Sequence, residues 1–344
     1  MRTIAVVRPP TLRDVAVAAA VHVGTASRAL NPGTRSRVSR STADRVLKAA
    51  KELGYRPNPM ARSLRTARTF TVGLVIPDLT SPLVPLLARG IAAVLAPAGS
   101  DAWIVNTDND AERERALIDS LRARQVDGLI VATASLEHAG LAALHAQKMP
   151  IVLANRVLAG GQISSVTADN AAGSALAVDH LVALGHTRIA HVTGPQRMST
   201  GLLRRRGFSQ AMRAHGLDED PALLASCASW TEAEGARAFG ELLDSGADVT
   251  AVVAGHDRVA LGCYDALAAR GLSCPGDVSV VGFNDMPFMD KMQPPLTTLR
   301  VAHHEIGAEA ARLLLNVFEE PERPPRSVML RPALVIRSST APPA

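Results

Sequence analysis

The sequence predicts a small all-α head followed by a larger α/β body of two Rossmann-like lobes of parallel sheet. Three observations predict this. Charge is split: residues 1–70 hold 14 Lys and Arg against 3 Asp and Glu, and the remainder holds 23 against 29. Apolar residues recur at helical spacing between Leu12 and Leu53, with turn residues between the runs. From Thr71 onward, short apolar runs alternate with amphipathic stretches. The 344 residues suffice for two or three domains. Aromatic residues are 3% of the chain, so the core is built from Ala, Val, Leu and Ile.

The head reads as three short helices. Thr11 caps the first, with Asp14 in the capping-box position and Leu12, Val15, Ala16 and Ala19 at helical spacing. A turn at Val21-His22 leads to a second helix from about Val23 to Leu30, ended by Asn31-Pro32-Gly33. Ser39 caps a third, which turns Ala43, Val46, Leu47, Ala50 and Leu53 inward and stops at Gly54. This is a helix-turn-helix arrangement. Arg28, Arg35, Arg37, Arg40 and Arg45 crowd it, which implies an anionic partner. After the head, Asn58 and Pro59 suit a helix start, but only about seven residues could follow, too few for a helix stable alone.

In the body, strands are expected at 71–76, 102–106, 128–132, 151–154, 188–192, 251–254 and 278–283, with helices at 112–124, 170–184 and 257–270. The Pro-rich linker 319–326 leads to a final strand near 328–337. Polar residues recur just past the strand ends, where open α/β sheets bind ligands: Asp78, Asp108, Thr133, Asn155-Arg156, Thr193, His256-Asp257 and Asn284-Asp285. No dinucleotide, P-loop or nucleophile-elbow motif is present. His303-His304-Glu305 reads as the polar start of a helix, and no metal or cofactor is expected. Three cysteines without a C-x-x-C pair fit a reducing compartment. No apolar stretch is long enough to span a membrane, and the run VAVAAAV at 15–21 is a poor export signal because Asp14 and His22 flank it.

From Thr11 to Thr66 the chain resembles the head of the lac-repressor family, in TLRDVAVAAAVHVGTASRALN and VSRSTADRVLKAAKELGYRPNPMARSLRT. The body resembles the same family, and through it periplasmic sugar-binding proteins, at IVLANR (151–156), TADN (167–170), GHTRIAHVTGP (185–195), RRRGF (204–208), VGFNDMP (281–287) and PPLTTLR (294–300). The resemblance implies a helix-turn-helix DNA-binding domain at 1–56, a hinge helix and linker at 57–69, and an effector-binding, dimerising body at 70–344. DNA contacts are expected from Thr11, Val23, Gly24, Thr25, Ser27, Arg28, Asn31, Tyr55, Asn58, Arg62 and Leu64. Arg28 can fork onto guanine and Val23 can meet a thymine methyl. Thr25 and Ser27 suit phosphates or are plain helix surface. Leu64 takes the position of a minor-groove wedge. Effector contacts are expected from Asp78, Thr133, Asn155, Thr193, Arg204, Trp230, His256, Asn284 and Asp285. The chain departs from the family at His22, usually a Ser cap, at Ala20, often Gly, and at Asn284, more often Asp.

The expectation is a cytoplasmic, homodimeric regulator, most simply a repressor. It reads a near-palindromic double-stranded operator and responds to a small molecule, with a sugar or sugar acid as first guess. An exported solute-binding protein and an α/β enzyme are the competing readings. The helical head argues against the first, and the lack of a catalytic constellation argues against the second.

Overall fold

The computed structural model describes residues 8, 10–31, 33–56, 68–217 and 220–344. The chain divides into two compact units, Met1–Thr69 and Phe70–Ala344. The expected hinge residues Asn58, Arg62 and Leu64 lie outside the described residues.

The first unit contains α1 (Leu12–Ala18), α2 (Val23–Leu30) and α3 (Arg40–Glu52). The Thr11 hydroxyl accepts from the Asp14 amide at 3.3 Å, and the Asp14 carboxylate accepts from the Thr11 amide at 2.7 Å, completing the capping box. His22 does the work of the usual Ser: its Nδ1 accepts from the Gly24 amide at 3.1 Å. Val15, Ala16, Ala26, Ala29, Ala43 and Val46 meet in a core of small side chains. Leu53 does not join them and is 40% exposed. It is the C-cap of α3, where Gly54 turns the chain at φ +64°, and Tyr55 packs on the core instead.

The second unit holds two six-stranded sheets, each at the centre of a lobe. The first, in order β11-β5-β4-β3-β1-β2, is parallel throughout. Its strands are β1 (Thr71–Ile76), β2 (Asp101–Asn106), β3 (Gly128–Val131), β4 (Ile151–Ala154), β5 (Ser165–Ala168) and β11 (Ser327–Leu330). The second, in order β12-β10-β9-β8-β6-β7, is parallel except for β12 against β10. It contains β6 (Ile189–Thr193), β7 (Leu224–Ser226), β8 (Ala251–Ala254), β9 (Ser279–Asn284), β10 (Thr297–Arg300) and β12 (Ala333–Val335). The helices are α4 (Val84–Leu95), α5 (Ala111–Ala123), α6 (Ala139–Ala146), α7 (Asn170–Ala183), α8 (Ser199–Ala214), α9 (Glu232–Asp244), α10 (Asp257–Ala268) and α11 (His303–Glu319).

The chain crosses between lobes three times: from β5 into α7, from β10 into α11, and from β11 to β12. The single strand expected near 328–337 is thus two strands, one in each sheet. One apolar core runs through both lobes, from Val72 and Ile91 to Phe208, Phe283 and Leu299. Helices α4 and α11 touch closely, because a Cβ at Gly90 would strike the His304 carbonyl and one at Gly307 would strike that of Leu87. That contact fixes the first turns of α11 against the middle of α4.

Ala20 lies in the left-handed region at φ +51°. A side chain there costs roughly 1–2 kcal/mol, partly offset by the entropy glycine would lose on folding. Ala20→Gly is therefore expected to stabilise the head by about 0.5–1 kcal/mol. Hydrogen exchange of the α1 and α2 amides reads this directly, and it should slow; faster exchange would mean the turn is not strained.

Candidate functional site

A cleft enclosing about 200 Å³ lies between the two lobes at the C-terminal ends of the parallel strands. The first lobe contributes Asp78 after β1, Asn155 and Arg156 after β4, and His303 at the start of α11. The second contributes Arg197, Thr200 and Arg204 on and before α8, Trp230 after β7, His256 and Arg258 at the start of α10, and Asn284 ending β9. Backbone strain gathers at these strand ends: Asn155 sits at φ +67°, Asn284 at +121° and Asn109 at +58°.

Arg204 is the centre of the site. It is 3% exposed. Its Nε donates to Asn170 Oδ1 at 2.8 Å, Nη1 to the Gly255 carbonyl at 2.6 Å and Nη2 to Asn284 Oδ1 at 3.4 Å. Its guanidinium carbon lies 3.7 Å from the Phe283 ring centroid and 5.5 Å from that of Trp230. Burial, countered in part by Asp257 and reinforced by Arg156, pulls its pKa down to about 9. Arg156 is also buried. Its Nη1 donates to the Thr133 carbonyl at 3.3 Å, and burial with repulsion from Arg197 lowers its pKa to about 10.

The Trp230 indole rests where Gly194 and Gly255 leave room. A Cβ on Gly194 would run into the ring, and one on Gly255 would stand 3.1 Å from it. His256 lies 5.5 Å from the indole, centroid to centroid. Its Nδ1 accepts from the Arg258 amide at 3.1 Å and so caps α10. Burial first, then the neighbouring cations, holds His256 well below the ordinary histidine range, and burial with Arg204 drops His303 to about 3. Both imidazoles are neutral at physiological pH. Beneath the cleft, burial raises Asp257 to about 6 even though the Thr298 hydroxyl and the Met286 amide donate to its carboxylate at 2.5 and 2.7 Å.

Arg156 Nε, Thr200 Oγ1, Asn284 Nδ2 and His303 Nε2 are buried without a hydrogen-bond partner. All four residues line the cleft. Such atoms cost free energy unless something satisfies them.

Asp78, Asn155, Arg204, Trp230, His256 and Asn284 meet here as the sequence led one to expect. Three expected residues do not line the cleft. Asp285 instead bridges Arg300 and Arg337, each at 2.7 Å, tying β10 to the C-terminal segment. Thr193 Oγ1 accepts from Gln196 and shapes the loop after β6. Thr133 acts through its backbone, as the carbonyl that holds Arg156. His303, read from sequence as a helix start, is both that and a lining residue; no motif marks it, because a helix from one lobe carries it to a cleft it shares with the other.

In the head, Val23 and Arg28 are exposed and Gly24, Thr25, Ser27 and Asn31 are half-buried. Arg28 Nε donates to the Gly24 carbonyl at 3.2 Å, which folds the guanidinium back along α2. Thr11 spends its side chain on the cap, and Asn31 Oδ1 accepts from the Gly33 amide. Tyr55 is partly buried against the head core. Among the described residues, no cluster of three or more His, Cys, Asp or Glu could hold a metal, and no helix is long and apolar enough to cross a membrane.

The depressed pKa of His303 has a stability consequence. Its neutral, folded form is favoured in full above the unfolded value of 6.5, and that advantage is lost as pH falls toward 3. Asp257 acts oppositely, adding stability as pH falls through about 6. In urea unfolding between pH 7 and 4.5, His303→Gln should therefore lose less stability than the parent; an equal or steeper loss would show that His303 does not control the acid limb.

The profile described as bacterial regulatory proteins, lacI family, matches residues 11–58, and that of the periplasmic binding protein-like domain matches 178–340. The Escherichia coli (strain K12) HTH-type transcriptional repressor CytR is 33% identical over 96% of both chains. The HTH-type transcriptional regulator CelR of Thermobifida fusca is 34% identical over 96% of this chain and 98% of its own. Among solved structures, a CelR–cellobiose complex superposes with a TM-score of 0.75 at 32% identity, covering 96% of this chain and 99% of that one. A lac repressor dimer bound to operator and an anti-inducer superposes with a TM-score of 0.85 at 26% identity, covering 97% and 100%. The chain therefore belongs to the lacI family of bacterial regulatory proteins, and it is a DNA-binding transcriptional regulator whose body is built like a periplasmic binding protein.

Proposed function

We propose that this protein is a cytoplasmic, homodimeric repressor, without enzymatic activity, whose grip on a near-palindromic operator is set by a small molecule in the interlobe cleft. The observation that carries the effector role is the cleft itself, where four buried polar atoms lack partners. The cellobiose-bound relative and a ribose-bound regulator of the family, 30% identical over 79% of this chain, support a sugar-like ligand. The operator-bound lac repressor dimer supports two heads on one site.

In this reading residues 1–56 bind DNA, 57–69 form the hinge, and 70–344 sense the effector and dimerise. Val23, Gly24 and Arg28 face base edges, Thr11, Thr25, Ser27 and Asn31 serve the backbone, and Tyr55, Asn58, Arg62 and Leu64 complete the contact, with Leu64 as the wedge. The effector meets Asp78, Asn155, Arg204, Trp230, His256 and Asn284. Trp230 offers a flat apolar face to a sugar ring, and the amides and guanidinium offer hydrogen bonds to hydroxyls.

The lobes are already tied across the cleft. Asp78 and Arg258 lie 3.6 Å apart, Ser199 Oγ accepts from the Val157 amide at 3.0 Å, and the Arg197 carbonyl accepts from the Leu136 amide at 2.9 Å. A ligand touching both lobes shifts their angle only by as much as its affinity differs between the two arrangements.

Selection of operators from a random library at fixed salt tests the DNA role, and enrichment of a near-palindrome is the expected result. Arg28→Ala should cost about 1–3 kcal/mol of operator affinity, relax one base position and leave binding to unrelated DNA little changed. An equal loss on both DNAs would make Arg28 a phosphate contact. Turnover of any ligand that binds the cleft would favour an enzyme instead.

A further inference from the structure

We infer that the effector is an anion: a polyhydroxylated molecule whose carboxylate or phosphate seats among Arg156, Arg197 and Arg204. This rests on the effector role proposed for the same cleft and specifies its ligand.

The cleft is electrically lopsided. Toward one end, Arg258 is matched by Glu232 at 2.8 Å and by Asp78 at 3.6 Å. Toward the other, no carboxylate among the described residues forms an ion pair with Arg156, Arg197 or Arg204. Arg204 is held by three neutral oxygens, those of Asn170, Gly255 and Asn284. Arg156 has one neutral partner, the Thr133 carbonyl, and an idle Nε. Both are buried, at 3% and 6% exposure. Two acids lie near the cluster without pairing to it: Asp257, whose oxygens the Thr298 hydroxyl and the Met286 amide already occupy, and Glu114, which favours the charged form of Arg156 but pairs with His138 at 2.9 Å.

Burying a guanidinium without a counter-charge is expensive, and a second and third nearby raise the cost. A bound oxyanion removes it with charge-assisted, fork-shaped hydrogen bonds. Of the four idle atoms, Arg156 Nε and Asn284 Nδ2 can only donate, and Thr200 Oγ1 and His303 Nε2 are able to donate as well. Asn284 is decisive. An Asp at that position would give Arg204 an internal counter-ion of the same shape; the amide leaves the charge for the ligand to supply.

The test uses the full-length chain carrying Trp103→Phe, which leaves Trp230 as its one indole, beside Arg204. Inorganic phosphate and acetate are titrated against chloride at constant ionic strength, followed by glucose, glucuronate and glucose 6-phosphate. Saturable fluorescence changes with phosphate or acetate are expected, with at least one charged sugar binding tenfold or more tighter than glucose. The preferred derivative distinguishes a sugar acid from a sugar phosphate. Asn284→Asp should weaken the anion tenfold or more without weakening glucose, and Arg197→Ala, at the exposed rim, should weaken the anion alone. The inference is overturned if phosphate and acetate behave like chloride, if glucose binds as tightly as its charged forms, or if Asn284→Asp leaves anion binding unchanged. Operator binding measured with each ligand keeps the two ideas apart: an anion that binds without altering operator affinity would sink the regulatory reading and leave the cleft chemistry standing.

Discussion

The Arg204 guanidinium reaches from α8 to the start of α7, the end of β8 and the end of β9, and it does so through neutral oxygens. A charge in that position has few ways to be tolerated. Its flat face is covered by Phe283 and approached by Trp230, and its Nε, Nη1 and Nη2 each donate to one neutral oxygen. Each of those partners is then constrained in turn. Asn170 must open α7 at the lobe crossing, Gly255 must present its carbonyl beside the indole, and Asn284 must leave the strand at positive φ. Much of the geometry of the second lobe's cleft wall follows from housing one cation.

Space for the ligand is set by absences of side chain as much as by presence. Gly194 and Gly255 form the seat of Trp230, and any larger residue at Gly194 would push the indole into the cleft. On the opposite wall, where Val84, Leu87 and His303 line the cleft, the close contact of α4 with α11 holds the start of α11 in place. The two walls therefore come from packing constraints far apart in sequence, which meet because the chain crosses between lobes three times.

The helical head was legible almost residue by residue, because its signals are local: the Thr11–Asp14 box, the Ser39 cap and the stop at Gly54. The buried strands of the body that are continuously apolar, such as 71–76 and 251–254, were equally plain. Strands β5, β7 and β10 were not. β7 is three residues at a sheet edge. β5 and β10 bury Ser165, Thr167, Thr297 and Thr298, polar residues that spoil an apolar run. Tertiary partners make some of that burial tolerable: Ser339 Oγ accepts from the Thr297 amide and Asp257 accepts from the Thr298 hydroxyl. Strand-end position located most of the cleft but could not tell Asn284 from Asp285. Adjacent residues leave a strand in opposite directions, so one faces the cleft and the other faces Arg300 and Arg337.

In the proposed reading, one site both holds a ligand and reports on it because its residues are divided between the lobes. Asp78, Arg156 and His303 belong to the first lobe, and Arg204, Trp230 and Asn284 to the second. Among the contacts that tie these walls is the Asp78–Arg258 pair, whose partly exposed partners interact weakly in water. The unmatched charges and idle donors of the two walls meanwhile gain nothing from one another. A ligand that satisfies donors on both sides replaces weak cross-cleft attraction with strong contacts, so its binding energy depends on the lobe angle. Sensitivity of conformation to the ligand is then a direct result of leaving buried groups from two lobes unsatisfied at their shared boundary.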